Sequence, residues 1–415
     1  MKGESKKEVT YDDFHNKFGN LIFGAGTTEG VVLPTGIKLM IIYGILFELM
    51  HINGIYTHKE DFIKLMPSFM IYVLIIQIAS LLVNRLLGRD SEPLAYVHKI
   101  TREFYEREEK NYEYLVTLNS TVERVIFAFK CYIPISIIFY HIPVITGWFV
   151  SIWKQEYIIT LAIFLPYTDS STAIGYLFNN ILLIFGSSVV FIIYMARDMH
   201  AIFYPAQIFA MVEIFKLKMK NFGKGLSNFH KKKSSAEFLS FFEPSTSKTF
   251  KKLIERPHSQ TDDEFENLER QLIDLIEEYE VYDEYLTQIV TFISPLAFTA
   301  LSTNSIAIGL ALLYIRLVSV PIGLAFCSIY FYQVTLQCII GTVISKQNEK
   351  LLQTVCEFPW YQLSSKRQKI YLQFIHRCQN TTTFNLPIIG KINLEILTGI
   401  VNATYSTWNF LMQFY

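Results

Sequence analysis

Charge is scarce and balanced in this chain. Acidic and basic residues together make up 18% of it and cancel to a formal net charge of zero, so the basic surface a nucleic-acid partner needs is missing. Cysteine is equally sparse: five residues, with neither metal-ligand spacing nor a disulfide framework. No histidines or carboxylates fall at metal-ligand spacing, and no glycine-rich phosphate loop follows a strand. The expectation is a protein that is not an enzyme and carries no cofactor and no metal. No internal repeat is visible, which weakens a secondary-transporter reading. Residues 1–20 are polar, and no apolar run with a small-residue cleavage site follows, so no cleavable signal peptide is expected.

What the chain has is apolar surface: 51% hydrophobic residues, 15% of them aromatic as a share of the whole. That is the composition of a polytopic membrane protein with sizeable polar loops. Seven apolar stretches are long enough to cross a bilayer as helices, which takes ~20 residues: 35–56, 62–87, 125–150, 173–195, 288–314, 318–343 and 392–414. Pro134 and Pro143 should kink the third. The connectors after the second, fourth and sixth stretches are rich in Lys and Arg, including the run Lys231-Lys232-Lys233. The other connectors hold only Lys59, Lys64, Lys154 and Arg316. Positive charge stays inside, so the N-terminus is expected in the cytoplasm and the C-terminus outside. The fold class is an all-α membrane protein. Its segments are a cytoplasmic lead-in (1–34), four spans with connectors (35–196), a cytoplasmic connector (197–287), two spans (288–343), a second cytoplasmic segment (344–391) and a last helix (392–415).

Two of these segments carry pattern. Within 197–287 the stretch 234–260 is Ser/Lys/Pro-rich and reads as loose. After it, Phe265, Leu268, Leu272, Leu275, Tyr279, Tyr282 and Leu286 alternate at three- and four-residue spacing, a heptad seam that runs unbroken into the fifth stretch. The seam suits either an amphipathic helix packed on its own subunit or a stalk that contacts another subunit. In the last helix Asn402, Ser406, Asn409 and Gln413 stack on one face. A polar stripe facing lipid costs free energy, so it faces water or protein. Pore lining and interhelical hydrogen bonding both fit. His141 reads as a bundle histidine with its bonds satisfied, Lys130 as a snorkelling side chain, and Glu395 as an interfacial carboxylate or part of a cation-attracting mouth.

The order Cys338, Gly341, Asn348-Glu349-x-Leu351, Pro359-Trp360-Tyr361, Arg367, Ile375-x-Arg377 and Gln379, then Thr404-Tyr405-Ser406 in the final helix, resembles the C-terminal signature of insect odorant receptors. The related gustatory receptors end in Thr-Tyr, five apolar residues and Gln-Phe. Here seven residues separate Thr404-Tyr405 from Gln413-Phe414, which argues for the odorant family. The resemblance implies the ligand-tuned subunit of a tetrameric, odorant-gated, non-selective cation channel, assembled with the shared odorant co-receptor in the plasma membrane of a sensory-neuron dendrite. Its partners would be a volatile small molecule, the co-receptor and membrane lipid. A gustatory receptor channel and a serpentine G-protein-coupled receptor are the alternatives. It also implies that the cytoplasmic extensions of the fourth to sixth helices and the basic helix 364–379 form the anchor joining subunits, and that the last helix lines the pore.

The resemblance places an odorant pocket in the outer halves of the helices. A small-molecule site is an apolar cavity with few polar groups. The residues that meet both conditions are Phe69, Tyr72 and Val73; Tyr140, Val144 and Trp148; Tyr176 and Asn180; Thr299 and Ser302; and Phe326. The gate admits two registers. Anchoring on Thr404-Tyr405 puts Trp408 and Met412 at the constriction; anchoring on Gln413 puts Phe410 and Phe414 there. The second is preferred, because Gln413 then continues the polar stripe and an apolar ring just before it can exclude water.

Overall fold

The computed structural model describes residues 91–157, 172–241, 258–386 and 390–414, with scattered residues between 49 and 80. The first apolar stretch, 35–56, lies almost wholly outside the described residues, as do the segments 158–171 and 242–257. The described chain is built of helices. An apolar helix, α1 (Leu65–Gln77), represents the second stretch. The third becomes α3 (Tyr112–Lys154), which continues through both prolines. The fourth becomes α4 (Ala173–Phe241), the fifth α5 (His258–Leu317) and the sixth α6 (Val320–Glu357). The basic helix is α7 (Ser365–Gln379), and the last is α8 (Leu394–Phe414).

Among the described residues α3 and the apolar parts of α5 and α6 are long and apolar enough to cross a membrane, while Leu65–Gln77 and Ala173–Val189 are shorter apolar helices. The expected segment limits at 196/197, 287/288 and 343/344 fall inside α4, α5 and α6, which run straight through them. α4 also carries the helix into the loosely read segment as far as Phe241.

One helix had no counterpart in the apolar pattern. α2 (Ser91–Glu108) is charged overall but buries Val97, Thr101, Phe104, Tyr105 and Glu108 on one face. Its outer face is laced by Lys99–Glu103 and Arg102–Glu106, each four residues apart. Asn111 then caps α3, its side chain accepting from the Glu113 N–H at 3.0 Å. α3 ends where Gln155 turns left-handed, φ 54°.

α6 is the axis of the bundle. In its apolar window 61% of residues are buried, against 28% in that of α3. It packs on α3, α4, α5, α7 and α8. A short turn joins it to α5, and Gly323 lets the two approach: a Cβ there would stand 3.0 Å from the Ala311 carbonyl oxygen.

At the end of the bundle that holds α7, the heptad seam is spent on its own chain. Leu272 and Leu286 are fully buried and Leu275, Tyr279 and Tyr282 nearly so, within one continuous core. Phe374 and Tyr371 of α7 enter the same cluster, with Tyr279 edge-on to Phe374 at 5.1 Å. The packing on the same subunit therefore consumes the seam. Charged pairs tie the same layer. Lys218 of α4 donates to Glu108 of α2 at 2.7 Å and to Glu278 of α5 at 2.5 Å. Arg367 meets Glu269 at 3.3 Å, and Arg377 pairs with Glu280.

Burial pushes the Cys378 thiol on α7 up to about 12 and raises the Tyr279 hydroxyl as well. Both stay protonated at neutral pH.

A two-residue hairpin, β1 (Asn385–Leu386) and β2 (Gly390–Lys391), leads into α8, pairing Asn385 with Lys391 and Leu386 with Gly390. Gly390 takes the left-handed φ of +88° that the turn requires. Asn393 caps α8 by accepting from Glu395 and Ile396 N–H at 3.0 and 3.1 Å. Ile392 presses on α6 at Gly341, where a Cβ would stand 2.4 Å from the Ile392 carbonyl oxygen. Only glycine leaves room for that crossing.

Candidate functional site

Five helices meet at a directional chain of hydrogen bonds. The Tyr194 hydroxyl of α4 donates to Gln77 Oε1 of α1 at 3.0 Å. Gln77 Nε2 donates to Asn304 Oδ1 of α5 at 2.8 Å and lies 2.7 Å from Thr303 Oγ1. Asn304 Nδ2 donates to Gln333 Oε1 of α6 at 2.9 Å. Gln333 Nε2 donates to the Tyr140 hydroxyl of α3 at 2.8 Å. The Tyr140 and Tyr194 rings stand 5.5 Å apart, which closes the circuit. None of the five is more than 4% exposed. Each amide uses its oxygen and its nitrogen at once, so burial strands neither. The circuit carries no formal charge, which suits a low-dielectric interior.

Several expected ligand residues stand one helical turn from this circuit. Val73 precedes Gln77 by four residues, Val144 follows Tyr140 by four, and Phe326 lies two turns before Gln333; all three are buried. Tyr330, between Phe326 and Gln333, donates to the Met70 carbonyl at 2.7 Å. Tyr72 is half-buried and Phe69 exposed. Thr299 is half-buried, donates to the Pro295 carbonyl at 2.9 Å and faces Ser80 at 3.5 Å; Ser302 is half-buried on the same helix.

A second group sits two turns further along α3. Trp148 Nε1 donates to Asn180 Oδ1 at 2.7 Å, and Asn180 Nδ2 returns a bond to the Tyr176 carbonyl at 2.9 Å. The Tyr176 hydroxyl donates to Ser151 at 3.0 Å, and its ring lies 5.0 Å from Tyr157. The structure therefore joins Trp148, Asn180 and Tyr176 directly and sets Tyr140 in the buried circuit instead. Next to Asn180, Asn179 is 2% exposed, and neither of its amide atoms has a hydrogen-bond partner among the described residues. A bare buried amide costs about 1–3 kcal/mol, which makes it unusual.

Gln77, Asn304, Gln333, Tyr194 and Asn179 were not among the residues the sequence singled out. For Gln77 the available signal was an amide isolated in an otherwise apolar run, which is rare inside spanning helices. His141 has both ring nitrogens within reach of partners, the Ile137 carbonyl at 2.9 Å and Ser188 at 3.3 Å.

α8 is organised the other way. Leu397 and Ile400 pack on the core, and Thr404 and Trp408 continue the same face, half-buried. On the opposite face Asn402, Ser406, Asn409 and Gln413 are all exposed. Phe410, 58% exposed, stands on the stripe side, and Phe414 ends the helix. Glu395 is exposed in the first turn and accepts from Asn393 at 3.1 Å.

Comparison with known proteins finds relatives in family and in fold. The family model described as 7tm Odorant receptor matches residues 65–405. A putative odorant receptor, 83c, of Drosophila melanogaster is 23% identical over 154 residues, which covers 36% of this chain and 37% of that relative. The olfactory receptor OR5 of Machilis hrabei shares the fold with a TM-score of 0.62 over 96% of this chain and 97% of that one, at 13% identity. The same receptor in complex with eugenol superposes with a TM-score of 0.59.

Proposed function

Because the chain belongs to the insect odorant receptor family, we propose that it is the ligand-tuned subunit of an odorant-gated, non-selective cation channel, a tetramer completed by the shared odorant co-receptor. The family assignment favours an odorant receptor over the gustatory alternative, and staining of the two termini separates the channel from a G-protein-coupled receptor. The observation that carries the channel reading is α8: among the described residues its polar stripe is exposed and lies opposite the face that packs on the core. Polar groups at membrane depth are satisfied by protein or water. Four copies of this helix around an axis would supply both, with Phe410 and Phe414 as an apolar constriction that closes by dewetting.

In this reading the odorant lies between the buried circuit and the Trp148–Asn180–Tyr176 group. Val144 and Phe326 give it apolar contact, and Asn179 offers a donor and an acceptor. Binding of eugenol by the Machilis receptor supports a small-molecule ligand of this kind here. The chain crosses the plasma membrane seven times with its N-terminus inside, as the Lys/Arg asymmetry requires. Arg367, Arg377 and the exposed side of α7 belong to the cytoplasmic anchor.

Recording currents in cells that express the chain with and without the co-receptor tests the proposal. An odorant-evoked cation current that needs both subunits is expected. A full response without the co-receptor would overturn the heteromeric reading. An epitope after Tyr415 should stain on intact cells, and one before Met1 should not.

A further inference from the structure

Away from the odorant site, α3, α4 and α6 leave a cavity of about 430 Å³ between them, on the α7 side of the bundle. Protein interiors rarely leave voids larger than a water molecule. This one exists because Ala128 of α3 and Ala201 and Ala206 of α4 present small side chains to each other across the gap. Its mouth opens sideways between Ile135 and Ile339, both exposed. The hydroxyls of the two tyrosines in its wall already have partners. The Tyr132 hydroxyl donates to the buried Asp198 at 2.8 Å, and the Tyr332 hydroxyl is 2.6 Å from Ser136. Their rings belong to an aromatic stack, Tyr332 on Phe139 at 4.7 Å and on Tyr132 at 6.3 Å. A ligand with oxygen to satisfy would lose its bonds to water here and gain none. A hydrocarbon chain loses nothing.

Polarity returns only at the end nearer α7. Arg124 lines the cavity there and is exposed, and Lys346 stands exposed one turn beyond Val343 on α6. The acidic neighbour on α4, Glu213, is occupied by Lys216 at 4.0 Å. Two cations at the polar end of an apolar slot between spanning helices match a phosphate attached to a hydrocarbon tail.

We propose that this cavity holds one acyl chain of an anionic glycerophospholipid from the cytoplasmic leaflet, with the headgroup at Arg124 and Lys346. The proposal rests on the reading of α3, α4 and α6 as spanning helices whose α7 end is cytoplasmic.

The test uses the full chain in nanodiscs of phosphatidylcholine doped with phosphatidylserine or phosphatidylcholine that carries a diazirine in one acyl chain. Photoadducts are located by peptide mass spectrometry. Adducts are expected to concentrate on Ala128, Ile202 and Leu336, well above those on Phe127 and Ile138, which are exposed on the same helix α3. Ala206→Phe, which fills the slot, should abolish the concentrated adducts and leave Phe127 labelling intact. Ala128→Leu serves the same purpose if the first variant does not fold. Arg124→Gln should reduce the preference for phosphatidylserine over phosphatidylcholine about fivefold, the value of one basic residue at an anionic surface. Labelling spread evenly over exposed residues, or unchanged in a folded cavity-filling variant, would overturn the proposal. So would displacement of the probe by a volatile odorant, which would make the cavity an odorant site. Failure of any lipid probe to reach Phe127 or Ile138 would overturn the spanning reading as well, so the two failures are distinct.

Discussion

Gln77, Asn304 and Gln333 lie in apolar helices, and so do Asn402, Asn409 and Gln413, yet the two sets are treated in opposite ways. The first three are buried and bonded to one another and to two tyrosines. The other three are exposed, on the side of their helix opposite the packed face. A polar group in an apolar helix must be satisfied somewhere. Where the chain does it internally, the group locks helices together. Where the chain does not, the missing partner is a statement about what lies outside it. The first set should behave as stability residues and the second as function residues, and variants can force that contrast.

The largest effect is expected inside the circuit. Asn304→Leu strands Gln333 Oε1, at a cost of about 1–3 kcal/mol, and leaves Gln77 Nε2 with Thr303 as its remaining partner. Loss of surface receptor and a lowered unfolding temperature should follow. An unchanged melting profile would remove the circuit from the stability account.

On the stripe the outcome should invert. Gln413→Ala is expected to change ion permeability, and Phe410→Ala to raise basal current or slow closing, both at normal expression. Trp408, on the packed side, should behave as a packing residue, so that Trp408→Ala lowers expression and leaves permeation alone. If permeability responds only to the Trp408 variant, the register is off by two residues.

Between these extremes lies the proposed odorant site. Trp148→Phe removes the 2.7 Å bond to Asn180, worth ~1 kcal/mol, or about a fivefold shift in half-maximal odorant concentration. Asn179→Leu should weaken responses to oxygenated odorants more than to hydrocarbons. Equal shifts for both classes would deny Asn179 a polar role.

The smallest effect is chemical. Cys356 is exposed, whereas Cys378 is buried with its thiol held up to about 12. At pH 7–8 a polar maleimide on permeabilised cells should label Cys356 and spare Cys378, because the thiol is both inaccessible and protonated. Rapid labelling of Cys378 would show that α7 opens.

The sequence made the long elements legible because their cause is local. Apolar runs and the seam at 265–286 are periodicities, and α3 to α8 fall on them. α2 escaped because the apolar residues of its buried face, Val97, Phe104 and Tyr105, are interleaved with Thr101, Glu108 and many charges, too few to stand out. The seam was readable as a pattern but not by partner: periodicity says that Leu272 is buried, not that its own α4 and α7 bury it. The candidate site was half-legible for a similar reason. Tyr140 and Trp148 announce themselves as aromatics on one helix. Gln77, Asn304 and Gln333 acquire meaning only when three segments far apart in the chain converge.

The unbroken length of α5 has a mechanical corollary. At 60 residues, and ~1.5 Å per residue, the helix is a rod of ~90 Å. Thr299 sits toward one end. Near its midpoint, Asp283 and Thr287 hold Thr382 at 3.2 and 2.8 Å, in the stretch of chain that feeds α8. Pro295, lacking an N–H, interrupts the rod's hydrogen-bond ladder between them. A pivot of one degree there swings Leu317 by roughly 0.6 Å over the ~33 Å that separates them. α5 is thus a lever with one soft joint: Thr299, expected to feel an odorant, lies one turn beyond it, and the contacts to the chain that feeds α8 lie two to three turns before it.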